Sequence, residues 1–196
     1  MKKIEFLLTM CLIVLFIASC EKNGENNETN TGVLNIDSVE YSINHGELVN
    51  INTVVAGEVY VGLIYLLSSD YCYEKTTITG TGQVIELKML FNSLYTLIPG
   101  TYTPSTGEPY HTMTFISNFF KDLNISTMEI TALYKATSGN IIVIKSGSTY
   151  ELSIDVLADK YNVNHADTEP TENPVETNIH ITCTYKGDLT QKYLSK

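Results

Sequence analysis

Tyr150-Glu151-Leu152-Ser153-Ile154-Asp155-Val156-Leu157 decides the fold. From Tyr150 to Val156 every second residue is apolar, and in an extended strand successive side chains point to opposite faces. One face must therefore meet a core while Glu151, Ser153 and Asp155 meet water. Ile179, Ile181, Cys183 and Tyr185 repeat the rule against His180, Thr182, Thr184 and Lys186. Ile85, Leu87, Met89 and Phe91 do so against Val84, Glu86 and Lys88. Val39, Tyr41 and Ile43 begin another such run; Asn44-His45-Gly46-Glu47 reads as a turn before Val49, Ile51 and Thr53 resume it. Val59 to Leu67 is apolar on both parities, which predicts a central strand covered on both faces, with Gly62 marking a bulge or a close contact.

Ile130 to Ala136 and Ile141 to Ile144 are further strands, separated by Thr137-Ser138-Gly139-Asn140, and Ser146-Gly147-Ser148 is the next turn. Only Phe119 to Leu123 suggests a single helical turn. Valine, isoleucine, threonine and tyrosine dominate the strand windows, in agreement with the pattern. The chain is predicted to be all-β, with about nine or ten strands in an antiparallel two-sheet sandwich or flattened barrel. A lipocalin-like closed barrel is the alternative. Tyr60 to Leu67 with Gln83 to Leu90 faintly echoes Tyr150 to Leu157 with Asn178 to Tyr185, a match that any antiparallel meander also produces.

The alternation starts only at Val33. Before it, Met1-Lys2-Lys3 is a positive n-region, Phe6 to Phe16 an apolar h-region, and Ile17-Ala18-Ser19-Cys20 a lipobox ending in the cysteine to be acylated. The apolar run is shorter than the ~20 residues a transmembrane helix needs. Residues 1–19 are therefore expected to be a lipoprotein signal peptide, and residues 20–32 the lipidated Cys20 with a flexible tether. Residues 33–196 form a single all-β domain in this reading. The stretch from Glu21 to Gly32 has no apolar side chain to offset its ordering entropy. As a coil it would span roughly 20 Å. Cys20 is thus the expected lipidation site, and the membrane, through that anchor, the expected partner.

The net charge is −10, and removal of Lys2, Lys3 and Glu5 makes the remainder one unit more negative. There is no arginine, and the lysines are scattered, so no basic stripe is available to neutralise phosphates and nucleic acid is not an expected partner. Of the four cysteines, Cys72 and Cys183 survive cleavage and acylation. They could form a disulfide in an oxidising compartment, or Cys183 could simply pack as a buried thiol in its strand.

No motif announces catalysis. His45, His111, His165 and His180 lack zinc-ligand spacing. Gly80-Thr81-Gly82 lacks a third glycine and leads into a strand, so it is a turn. No Gly-x-Ser-x-Gly elbow occurs. The irregular stretch from Asp159 to Thr177 carries His165, Asp167, Glu169, Glu172 and Glu176 without a calcium-loop spacing, and reads as a solvated acidic loop. No catalytic residue, metal ligand or cofactor is assigned. Thirteen tyrosines and no tryptophan are the other feature, and a contact surface would be sought at Tyr65, Tyr71, Tyr73, Tyr102 and Tyr110. The competing expectation is that these rings are strand residues packed into the body.

Lipobox, acidic tether, Ile98-Pro99-Gly100-Thr101-Tyr102-Thr103 and Ser146-Gly147-Ser148-Thr149-Tyr150-Glu151-Leu152 together resemble the surface lipoproteins of Bacteroides and its relatives. The resemblance implies an outer-membrane lipid anchor facing the cell surface, with Glu21, Glu25 and Glu28 only partly matching the export signal because Lys22 interrupts them. It also implies O-glycosylation at Ser38 within Asp37-Ser38-Val39, and a chain without arginine cannot follow the arginine-processed pilin route of some relatives. The expected function is a non-catalytic surface binding or adhesion module for glycan or protein. A carrier of a small apolar ligand inside a barrel is second, and a polysaccharide hydrolase third, the last requiring two carboxylates to converge in one cleft.

Overall fold

A computed structural model describes residues 30–56, 59–74, 77–93, 96–105, 111–166, 170 and 173–193, with the side chains of 50–56, 73, 74, 77 and 191–193 outside the description. It is all-β. The strands are β1 Thr31–Ile36, β2 Val39–Ala56, β3 Val59–Ser68, β4 Cys72–Glu74, β5 Thr77–Thr79, β6 Thr81–Phe91, β7 Gly100–Pro104, β8 Thr114–Asn124, β9 Ala132–Ser146, β10 Thr149–Tyr161, β11 Glu176–Asp188 and β12 Thr190–Tyr193.

Ten of these form one sheet and β4–β5 forms a separate two-stranded hairpin. The large sheet closes on itself: β1–β2, β2–β3, β3–β6, β6–β8, β8–β9, β9–β10, β10–β11 and β11–β1 are all antiparallel hydrogen-bonded pairs. The result is a flattened barrel. Its two seams are built alike, each with a short strand filling the wedge where long neighbours part. Where β8 and β9 diverge, β7 bonds antiparallel to β9 and parallel to β8. Beyond the start of β1, the chain leaving β11 continues as β12 and pairs parallel with β2 directly. Closure of this kind satisfies backbone groups that open edges would leave bare.

The interior is filled. Ile64 and Leu66 of β3, Ile85, Leu87, Met89 and Phe91 of β6, and Leu152, Ile154 and Val156 of β10 meet in one core. Tyr102, Tyr134, Tyr150 and Tyr185 are fully buried in the same core. Cys183 is free and buried there, so no Cys72–Cys183 bridge exists; burial pushes its thiol up to about 12. Gly62 marks a close contact, since a Cβ would lie 2.9 Å from the Phe91 ring.

β3 is covered on its second face as well. Leu67 of β3, Val84 of β6 and Phe120 and Leu123 of β8 point outward and pack with Tyr71, Ile130 and Leu133 in an outer layer. This explains why Phe119 to Leu123 is strand and not a helical turn. Phe119 faces the core and Phe120 the outer layer, while a bulge opposite Gly82–Val84, with Asp122 at φ 52°, brings Leu123 to the outer side too. Apolar residues at i, i+1 and i+4 imitate helical spacing.

Two expected turns fall differently. β2 runs through Asn44–Glu47 without reversing; the register shifts between Ile43 and His45, where the strand leaves the β1 side of the seam for the β12 side. The reversal sits earlier, at Asp37-Ser38, both with positive φ as a two-residue hairpin of the primed type requires. Thr137–Asn140 is likewise a bulge inside β9, with Gly139 at φ 102°. At the N-terminal edge β1 opens at Thr31, so Thr31 and Gly32 are strand and not tether. Gly32 permits this, because a Cβ there would stand 2.4 Å from the Thr184 carbonyl oxygen.

Candidate functional site

The outer face of β2, β3, β6 and β8 carries a groove of about 470 Å³. Register builds its polar end directly. Glu47 pairs with Tyr65, Tyr65 with Glu86, and Glu86 with Asn118, so four polar side chains form one row across four strands. All four line the groove. One step along the strands, the next row is Leu67, Val84 and Phe120, which forms the apolar floor.

Ile78 of β5 overhangs that floor from one side. Ile125, Met128 and Ala166 approach from the other. Ala166 belongs to the β10–β11 connection, which the sequence reads as free acidic loop. In fact Asp159, Lys160 and Tyr161 extend β10, Glu176 and Thr177 begin β11, and the intervening Asn164 to Ala166 is stitched to the β8–β9 connection. Ile130 N–H donates to the Asn164 carbonyl, Ala166 N–H to the Met128 carbonyl, and Glu129 bridges His165. Tyr65 of β3 and Ala166 of the long connection therefore border one groove. Asp167, Glu169 and Glu172 lie outside the described residues.

The polar row is held by its own hydrogen bonds. Asn118 Nδ2 donates to Glu86 Oε1 at 2.9 Å, and Tyr65 is the register partner of the same Glu86 on the neighbouring strand. Burial raises the Tyr65 phenol, and the negative charge of Glu86, with Glu47 beyond, pushes it up to about 12. The ring stays protonated at neutral pH. Glu47, 9% exposed, lies 3.1 Å from His45 Nε2 through its Oε1. Asn118 Oδ1 is sealed from solvent with no partner among the described residues, an omission that costs about 1–3 kcal/mol where nothing offsets it.

Of the five tyrosines named as contacts, three have described side chains, Tyr65, Tyr71 and Tyr102, and of these only Tyr65 lines this groove. Tyr71 lies beneath it, its hydroxyl shared between the carbonyls of Gly82 (3.0 Å) and Leu123 (2.6 Å), which pins the bend before β4 to the β8 bulge. Tyr102 is fully buried and donates to the Ile98 carbonyl at 2.7 Å. Both are structural, because a ring in the body must place its hydroxyl on a partner. The Tyr73 side chain and Tyr110 lie outside the described residues, as does Cys20. Glu47, Glu86 and Asn118 were missed as a set; Glu86 is visible in sequence only as one outward polar residue, and nothing short of strand register brings the three together.

Ser38 is exposed at the β1–β2 turn. Its neighbour Asp37 reaches across the barrel end, where Tyr134 hydroxyl and Lys121 Nζ (3.1 Å) donate to its Oδ2. Burial alone would raise the Asp37 carboxyl, but those two hydrogen bonds and the Lys121 charge bring it below the ordinary aspartate value. Among the described residues no cluster of His, Cys, Asp and Glu could hold a metal ion, and no helix is long and apolar enough to cross a membrane. Compared with known protein families, with curated proteins and with solved structures, the chain matches none.

Proposed function

We propose that this protein is a lipid-anchored outer-membrane protein, acylated at Cys20 and facing the cell surface, whose β-barrel body is a non-catalytic binding or adhesion module. Its ligand site is the groove over β3, β6 and β8. The observation that carries this reading is the row Glu47, Tyr65, Glu86, Asn118 set beside an apolar floor in one concavity. Few convergent polar groups on an apolar lining is the usual composition of a ligand site.

Two carboxylates in one groove also meet the first requirement of a glycoside hydrolase. The hydrogen bonding weighs against that chemistry. Glu86 already accepts from Asn118 Nδ2 at 2.9 Å, so one of its two oxygens is committed within the row and not free to face a glycosidic bond. The carrier reading loses support from the filled interior and from Asp37 drawn across the barrel end.

Glycan arrays and pull-down of surface proteins test the binding role. The expected result is one ligand class bound by the wild type and weakened at least about ten-fold by Tyr65→Ala, the scale of one lost anchor contact. No ligand at millimolar concentration, or a ligand indifferent to Tyr65→Ala, sinks the reading. For the anchor, mass spectrometry of natively produced protein should find residues 1–19 removed and Cys20 acylated; an unmodified Cys20 overturns it.

A further inference from the structure

One end of the barrel is held near the proposed anchor. Asn30 is fixed there, its Oδ1 accepting from the Asp188 N–H at 3.0 Å where β11 closes. Between an acylated Cys20 and Asn30 lie nine residues, 21–29, which even fully extended reach about 35 Å. The body cannot move far from the lipid, and the face beside Asn30 is the one held nearest to it. Register leads from that point across one outer face. Thr31 pairs with Lys186, Lys186 with Glu151 and Glu151 with Ile144. Val33, Thr184, Ser153 and Ile142 pair in the same order in the next row. Three interstrand steps put Ile144 about 14 Å from Thr31, and the two rows line a groove of about 370 Å³.

Among the described residues Val39, Ile116 and Val175 are exposed large apolar side chains on separate segments. Ile142 and Ile144 differ: 41% and 53% exposed, they stand two residues apart on one face of β9. Their cross-strand neighbours are Ser153 and Glu151, and Glu151 is neutralised by its ion pair with Lys186, so the row carries no net charge to oppose headgroups. Contact with the headgroup boundary would take both isoleucines out of water. Two side chains alone bind weakly. A short tether makes the contact intramolecular, at an effective concentration on the order of millimolar.

We infer that the outer face of β1, β11, β10 and β9 rests on the phospholipid surface of the membrane that holds the anchor, with Ile142 and Ile144 entering the headgroup boundary. The inference rests on acylation at Cys20, and the test separates the two claims. In the order of closure β10 stands across the barrel from β3, and β11 from β6. This pose turns the groove over β3, β6 and β8 away from the lipid and toward a ligand.

The chain contains no tryptophan, so a single introduced one reports its own surroundings. Ile144→Trp, and Leu63→Trp on the outer side of β3 as the control, are produced natively and reconstituted with phosphatidylcholine vesicles, and flotation selects the membrane-bound protein. Emission is compared between vesicles with brominated and unbrominated acyl chains. Ile144→Trp should be quenched by bromine and shifted to the blue, and Leu63→Trp should show neither change. Adding Ile142→Asp to Ile144→Trp should abolish the quenching, because a carboxylate opposes entry into the boundary. Thermal melts check that each variant is folded. Floating protein whose Ile144→Trp emission ignores bromine, whose two tryptophans are quenched alike, or whose quenching survives Ile142→Asp overturns the inference and leaves the anchor standing. Protein that does not float and whose Cys20 carries no acyl chain overturns both.

Discussion

The outer faces of the two halves of the barrel could hardly differ more. Over β10 and β11 the outward residues include Ser153, Asp155, His180 and Thr184, all exposed. Over β3 and β6 the outward residues include Leu67 and Val84, both buried beneath the β4–β5 hairpin side and the β8–β9 connection. The first half obeys strict alternation, and the second does not. A strand that is apolar on both parities has a second layer to cover it, and where that layer stops short a concavity is left. The groove is the unfilled margin of the outer layer.

The sharpest way to break this comparison is to truncate both parities of each half. Leu66→Ala (inner) and Leu67→Ala (outer) on β3 should each cost about 2–5 kcal/mol by denaturant unfolding, as should Ile154→Ala on β10. Ser153→Ala on the outer side of β10 should change stability by less than ~0.5 kcal/mol. If Leu67→Ala is as mild as Ser153→Ala, the outer layer is not a packed core and the distinction between the halves collapses.

Next in size is Tyr71→Phe, which removes the buried hydroxyl that donates to the Gly82 and Leu123 carbonyls. A loss of about 1–3 kcal/mol is expected, with faster amide exchange confined to the β6–β8 bulge. Exchange rising equally in β10 and β11 would contradict an outer layer that is local.

A smaller, pH-dependent effect belongs to the barrel end that both halves share. The folded carboxyl of Asp37 is depressed below the ordinary value near ~3.9, so its ionised form stabilises the fold above about pH 4 and that contribution fades as pH falls through the folded value. The gap in Tm between wild type and Asp37→Asn should be full at neutral pH and close in more acid solution. A gap that stays constant down to pH 2 would mean that the Lys121 and Tyr134 contacts act without the charge.

Smallest of all is the exposed Lys186–Glu151 pair on the solvent face of β10 and β11. Lys186→Gln should cost less than ~1 kcal/mol, and less still in high salt. A larger loss would mark that face as more than a solvated surface.

Much of this architecture can be read residue by residue. Alternation in Ile85 to Phe91, Tyr150 to Val156 and Ile179 to Tyr185 assigns inner faces correctly, because a period of two leaves no freedom once one face is buried. Val59 to Leu67 announces its two covered faces. The reading fails at bulges. Asn44–Glu47 and Thr137–Asn140 carry turn residues but only bend a strand, and Phe119–Leu123 simulates a helix, since one extra residue changes parity without changing composition. Among the tyrosines, composition cannot separate Tyr65 at the surface from Tyr102 in the core, because the ring suits both and only the partner of the hydroxyl differs.

The amino-acid order alone, through local period and propensity, determined an all-β body and the inward side of most strands. The proposed acylation of Cys20 likewise rests on consecutive residues, Ile17-Ala18-Ser19-Cys20, and needs no fold to be put forward. Tertiary structure decided which strands are neighbours. Glu47, Tyr65, Glu86 and Asn118 are far apart along the chain and become adjacent through hydrogen-bond register across four strands, a long-range choice made by closure of the barrel around its core.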